Sequence, residues 1–108
     1  MKVLFVCSAN ELRSRTAEDY FSTKHPEVQF SSAGTNHKIC IQKGNTPLEE
    51  EMLKDADVVY VMENKHRDII RKNVGDVYNK KIKVLHIKDE YDYYQKELIQ
   101  LLEDKIKI

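Results

Sequence analysis

Cys7 and Arg13 stand six positions apart, with Ser14 following, in the run Cys7-Ser8-Ala9-Asn10-Glu11-Leu12-Arg13-Ser14. A thiolate is a strong nucleophile, and a guanidinium is a permanent, forked cation that matches two oxygens of a phosphate. The loop between them can turn its backbone N–H groups inward as an anion nest. One curl of chain can thus hold a tetrahedral oxyanion against a sulfur. The same donors would stabilise the thiolate and the charge that spreads over the equatorial oxygens when phosphorus is attacked. Asn10 suits such a curl, because asparagine tolerates left-handed backbone better than most residues. Ser14 is placed to give a hydrogen bond to the sulfur as it leaves.

The flanking pattern predicts what positions this loop. Lys2–Val6, apolar from Val3 onward, reads as a buried strand. A helix is expected from Arg13 to about Lys24, with Ala17, Tyr20 and Phe21 at helical spacing and His25-Pro26 ending it. Val28–Ser32 reads as a weaker strand closed by Ala33-Gly34, and residues 35–45 as a loop. Thr46-Pro47-Leu48-Glu49 has the form of a capping box with proline at the first helical position, opening a short helix through Lys54. Asp57–Met62 is a third strand. Asn64–Lys72 follows as a helix, with Ile69 and Ile70 turned inward and Gly75 beyond its end. Ile82–Ile87 is a fourth strand, and Leu98, Leu101, Leu102 and Ile106 form the stripe of a last helix that starts just after Asp92 or Tyr93.

Strands alternating with helices predict an α/β fold: a three-layer sandwich with a four-stranded parallel sheet flanked by helices, and the phosphate loop between the first strand and first helix. In open sheets of this kind ligands lie outside the carboxyl ends of the strands. Cys7 falls there, and so does the loop Lys88–Tyr93 after the fourth strand.

With 108 residues, positions 1–108 are expected to form a single domain. Hydrophobic residues make up 41% and charged residues 33%, an ordinary globular balance. Formal net charge is zero, so no broad basic face for nucleic acid is expected. No segment reaches membrane-spanning length, and the first apolar run is too short for a signal-peptide core, so a cytoplasmic location is expected. The two cysteines give no disulfide framework. His37-Lys38-Ile39-Cys40 has a ligand-like spacing, but no second pair completes a zinc site. His25, His66 and His86 fall in different elements and read as surface or supporting residues.

The segment Cys7–Ser14 after Val3-Leu4-Phe5-Val6 resembles the signature C-x-G-N-x-C-R-S of the low-molecular-weight protein tyrosine phosphatases. Ser32-Ala33-Gly34-Thr35 is similar to that family's S-A-G-T. Asp57–Glu63 is similar to its third strand, which ends in Met-Asp, and Asp89-Glu90-Tyr91 lies where the family has Asp-Pro-Tyr. Within the family the chain looks most like a short bacterial branch of predicted tyrosine phosphatases.

The resemblance implies Cys7 as nucleophile and a phosphocysteine intermediate. Arg13 and the N–H groups of residues 8–13 (Ser8, Ala9, Asn10, Glu11, Leu12 and Arg13) would hold the phosphoryl group. Asp89 would be general acid and then base, with Glu90, Asp92 and the substrate dianion favouring its protonated form. Asp92 is the rival acid, its alternative role being the cap of the last helix with Gln95. Ser32 would hydrogen-bond Asn10. No metal or organic cofactor is implied. The partner would be a phosphorylated protein or a small aryl phosphate.

Departures matter as well. Leu12 replaces the family's second loop cysteine, which removes a disulfide partner for an oxidised nucleophile. Glu11 puts a carboxylate in an anion loop; it is expected at the rim, with Arg15 as its partner at i+4. The chain is shorter than usual between the second and third strands, which predicts a more open pocket. Tyr91, with Tyr93 and Tyr94, is a candidate wall for a slot that accepts a phosphorylated aromatic ring. The leading expectation is hydrolysis of phosphotyrosine or aryl phosphates. Phosphoarginine hydrolysis, a phosphate-binding module with little catalysis, and arsenate reduction are the alternatives.

Overall fold

The computed structural model describes residues 1–108. Four strands form one parallel sheet in the order β2-β1-β3-β4, where β1 is Lys2–Cys7, β2 Gln29–Gly34, β3 Val58–Val61 and β4 Ile82–Val84. The helices are α1 (Arg13–Lys24), α2 (His37–Lys43), α3 (Glu50–Asp55), α4 (Asn64–Val74) and α5 (Lys96–Lys105). The α/β sandwich expected from the alternation is the fold observed.

Strand alternation sorts the core into two layers. Val3, Phe5 and Cys7 of β1 face α1 and α5, where they join Ala17, Phe21, Leu98, Leu102 and Ile106. Phe5 stacks on Phe21, Phe30 and Tyr60 in this layer. Leu4 and Val6 face the other way, packing with Leu53 of α3 and Ile70 of α4. The last residue of β1 is therefore delivered to the side of the sheet on which α1 begins. Strand order reverses between β1 and β3, so the switch point where open sheets bind ligands lies at Cys7 and Met62-Glu63.

Several expected boundaries are corrected. Residues 35–45 are not all loop: α2 forms because Asn36 Oδ1 caps the Ile39 N–H at 3.2 Å and Gly44 closes the helix with a left-handed φ of 70°. Thr46–Glu49 is not a capping box. Pro47 pairs with Gly34 as an added rung beside β2, Leu48 N–H donates to Gly34 O at 2.8 Å, and the helix starts at Glu50. The second strand runs through Gly34. The fourth stops at Val84, since His86 takes a φ of 57° that no strand tolerates. Leu85 and Ile87 still bond to Val61 and Met62 of the neighbouring chain segment. Ile70 is buried as expected, but Ile69 is exposed. The last helix begins at Lys96, and Asp92 does not cap it; instead the Gln95 side chain accepts the Asp92 N–H at 2.8 Å.

Candidate active site

The loop between β1 and α1 is held from outside by its carbonyls. Cys7 O accepts from Thr35 N–H and Ser8 O from Asn36 N–H, both at 2.9 Å, while Ala9 O accepts from Asn45 Nδ2 at 3.1 Å. Peptide planes are rigid, so carbonyls fixed outward turn the following N–H groups to the opposite side. The N–H groups of residues 8–13 donate to no protein acceptor. The helix that follows carries no side-chain cap and no acidic residue in its first turn. Its positive end is left open to an anion.

Asn10 is the hinge of the curl. Its φ is 53°, and it is fully buried. Asn10 Oδ1 accepts the Thr46 N–H at 3.1 Å, and its Nδ2 donates to Ser14 Oγ at 2.9 Å. Because Ser14 Oγ already accepts from Asn10, its own hydrogen is free for Cys7 Sγ, which lies 3.0 Å away. The sulfur thus has a hydroxyl donor at hand.

Ser32 does not hold Asn10, contrary to expectation. Its register partner is Phe5, which faces α1, and Ser32 Oγ accordingly donates to Glu18 on that helix. Thr46 takes the supporting role instead.

Arg13 is 2% exposed, an unusual state for an arginine unless it is paired. Its Nη1 donates to Glu63 Oε2 at 2.6 Å and to Ile87 O at 2.8 Å. On its other edge, Nε stands 3.7 Å from Asp89 Oδ1. Burial pushes the Glu63 carboxyl up, but the Arg13 guanidinium outweighs it and holds the group below its ordinary value. Glu63 was not among the residues expected at the site, although the third-strand motif ends on it.

Asp89 is exposed, at 58%, and lies beside Arg13; Asp92 makes no such contact. Glu11 points to the rim, and its partner is Lys43 of α2 at 2.9 Å rather than Arg15, because α2 folds against the loop. Leu12 ends the loop as the residue before α1. Tyr91 is partly buried against the α1-side core. Tyr93 donates to Asp19, and Tyr94 N–H donates to Thr16 Oγ1 at 2.8 Å with its ring edge-on to Tyr20, so both residues lie along α1. Cys40 is buried under the loop with its Sγ 3.8 Å from Ser8 O; burial pushes its thiol up, and the nearby Cys7 adds to this.

His66, expected as a surface or supporting residue, is fully buried at the start of α4. Its Nδ1 accepts the Glu63 N–H at 3.0 Å and its Nε2 lies 2.9 Å from Ser8 Oγ. Burial first, and then the Arg13 charge, lower its pKa from 6.5 to about 4. Between those pH values the unfolded chain binds a proton that the folded chain does not, so stability is full above pH 6.5 and declines as pH falls toward 4. At about pH 4.5 the loss from this group is roughly 2 to 3 kcal/mol. Urea midpoints at pH 7 and 4.5 should show that loss in the natural protein and not in His66→Asn.

A thiol at the carboxyl end of the first strand, six free N–H groups and a buried arginine at the helix start are brought together on a four-stranded α/β sheet, an arrangement able to receive a tetrahedral anion. In sequence and fold the chain is similar to low-molecular-weight protein tyrosine phosphatases. No protein-family model matches it. It is 30% identical to a protein-arginine-phosphatase of Bacillus subtilis (strain 168), a match that takes in 69% of this chain and spans 64% of that protein's length. Among solved structures, it is similar to a low-molecular-weight protein tyrosine phosphatase from Bacillus subtilis, with 27% identity, a TM-score of 0.65, and coverage of 79% of this chain and 70% of that one. It is also similar to the YwlE arginine phosphatase in a cysteine-to-serine form with a phosphorylated active-site serine, at 25% identity and a TM-score of 0.70, covering 94% of this chain and 91% of that one.

Proposed function

We propose that this chain hydrolyses phosphorylated side chains or aryl phosphates through a cysteinyl-phosphate. The observation that carries this reading is the row of N–H groups from residues 8–13, free of protein acceptors, around a sulfur that faces a hydroxyl donor. Cys7 Sγ attacks phosphorus in line with the leaving oxygen, and the N–H groups with Arg13 take the charge of the equatorial oxygens. Asp89 gives its proton to the leaving group, then takes one from the water that hydrolyses the S–P bond. Ser14 donates to the sulfur as it departs. The relative with a phosphorylated serine in place of its cysteine supports phosphate transfer to this position.

Aryl phosphate, including phosphotyrosine, is the leading substrate class. Phosphoarginine is the second, favoured by two observations. Tyr93 and Tyr94 are tied to α1, and the carboxylates of Glu11, Glu63 and Asp89 surround the loop, a setting suited to a cationic guanidine leaving group. Arsenate reduction would need a relay of accessible thiols, and Cys40 is buried. Steady-state kinetics on p-nitrophenyl phosphate, a phosphotyrosine peptide and a phosphoarginine peptide test the reading. Turnover of none of them, with inorganic phosphate still bound, would leave a binding module.

The acid is tested separately. Asp89→Asn should lower kcat for phenyl phosphate about 10² to 10³-fold and abolish the alkaline limb of the pH profile, while Asp92→Asn should change neither. The reverse pattern would move the role to Asp92.

A further inference from the structure

Both ends of the phosphate loop are tied to one turn of chain, residues 63–66. The Glu63 carboxylate holds Arg13 at the loop's end, and the Glu63 N–H fixes Nδ1 of His66, whose Nε2 meets Ser8 at the loop's start. An imidazole that accepts at Nδ1 and is neutral carries its one proton on Nε2. His66 therefore donates to Ser8 Oγ. That oxygen has no other partner, so its own hydrogen is left for an incoming group.

We infer that His66 is a positioning residue, which by donating to Ser8 Oγ turns the Ser8 hydroxyl hydrogen toward the bound phosphoryl group and adds a side-chain donor to the row of backbone N–H groups. The inference rests on the phosphatase reading for its substrate, but phosphate binding reports on it without turnover. The arrangement differs from that of Ser14, whose hydroxyl serves the sulfur. Here a histidine 58 positions away sets the direction of a hydroxyl next to the nucleophile. A hydrogen bond to an ionised acceptor of this kind corresponds to about a tenfold or larger change in affinity.

Two substitutions separate positioning from helix capping. In His66→Asn the amide oxygen replaces Nδ1 as acceptor for the Glu63 N–H but cannot reach Ser8. In His66→Gln an amide N–H stands where Nε2 was. The test measures inorganic phosphate binding by calorimetry and kcat/KM on p-nitrophenyl phosphate for the natural protein, His66→Asn, His66→Gln, Ser8→Ala and the His66→Asn/Ser8→Ala double variant.

His66→Asn and Ser8→Ala should each weaken both quantities about tenfold, the double variant no further than either single one, and His66→Gln should recover most of the loss. A double variant weakened about a hundredfold, or a folded His66→Asn that binds phosphate as tightly as the natural protein, would overturn the inference. If His66→Asn does not fold, unchanged binding in Ser8→Ala overturns it equally. Should nothing hydrolyse while phosphate binding falls in both single variants, the inference stands and the phosphatase reading fails. Normal hydrolysis in every variant has the opposite meaning.

Discussion

Cys7→Ser is expected to reduce turnover of p-nitrophenyl phosphate by about 10⁴-fold or more while leaving phosphate bound. The argument is chemical rather than steric. A serine hydroxyl fits where the thiol sits, beside Ser14 Oγ at 3.0 Å, and the loop N–H groups are unaffected. What is lost is an ionisable sulfur, since an alcohol is a poor nucleophile unless a base activates it. The titratable groups near the loop offer no such base to position 7: His66 Nε2 is directed at Ser8, and the Asp89 carboxylate stands at Arg13 Nε. Arg13→Lys should be the companion loss, about 10² to 10³-fold in kcat/KM, because an ammonium cannot bridge Glu63, Ile87 O and a phosphate with one fork. Stopped assays of the purified variants, with phosphate binding measured alongside, read both effects. Retention of phosphate by an inactive Cys7→Ser is the signature sought.

Gly34→Ala is the second large effect, and it should damage stability and phosphate binding together. A Cβ at this position would lie 2.5 Å from Ser8 O and 2.9 Å from Asn10 N, and closer still to Cys40 Sγ. Two of those three neighbours are backbone atoms of the phosphate loop, which cannot give way without turning its peptide planes. Overpacking of this kind costs about 2 to 3 kcal/mol, or roughly 10 to 20 °C in Tm for a chain of this size. Trimming the third neighbour should not restore the loop, so Gly34→Ala/Cys40→Ala should remain severely defective in phosphate binding. Gly44→Ala makes a useful contrast. Nothing lies near its Cβ, and its cost comes only from a left-handed φ of 70°, about 1 kcal/mol with the loop intact. Thermal melts and phosphate titration of the three variants decide the matter; recovery of binding in the double variant would show that the loop tolerates the crowding.

Much of this site could be read from residues 1–24, because the information is local. An apolar run, a loop with Asn10 at its bend and a helix starting at Arg13 each follow from neighbours in sequence, and all three are observed. The Ser14 contact to sulfur was legible for the same reason. The failures are long-range. Thr46-Pro47-Leu48-Glu49 has every local mark of a helix start, yet Asn10 Oδ1 and Gly34 claim its backbone groups and hold it extended. Helix α2 buries only Cys40, so its polar sequence reads as loop until its partners are known. Ser32, two residues before the end of β2, could be matched to a family position but not to the side of the sheet it faces. His66 and Glu63 were hidden because their partners, Ser8 and Arg13, are 50 or more positions away.

A crystal structure grown with vanadate tests the central claim most directly. Vanadium should bond to Cys7 Sγ, its equatorial oxygens receiving the N–H groups of residues 8–13 and the Arg13 guanidinium. Vanadate bound elsewhere, with the loop between Cys7 and Arg13 empty, would contradict it.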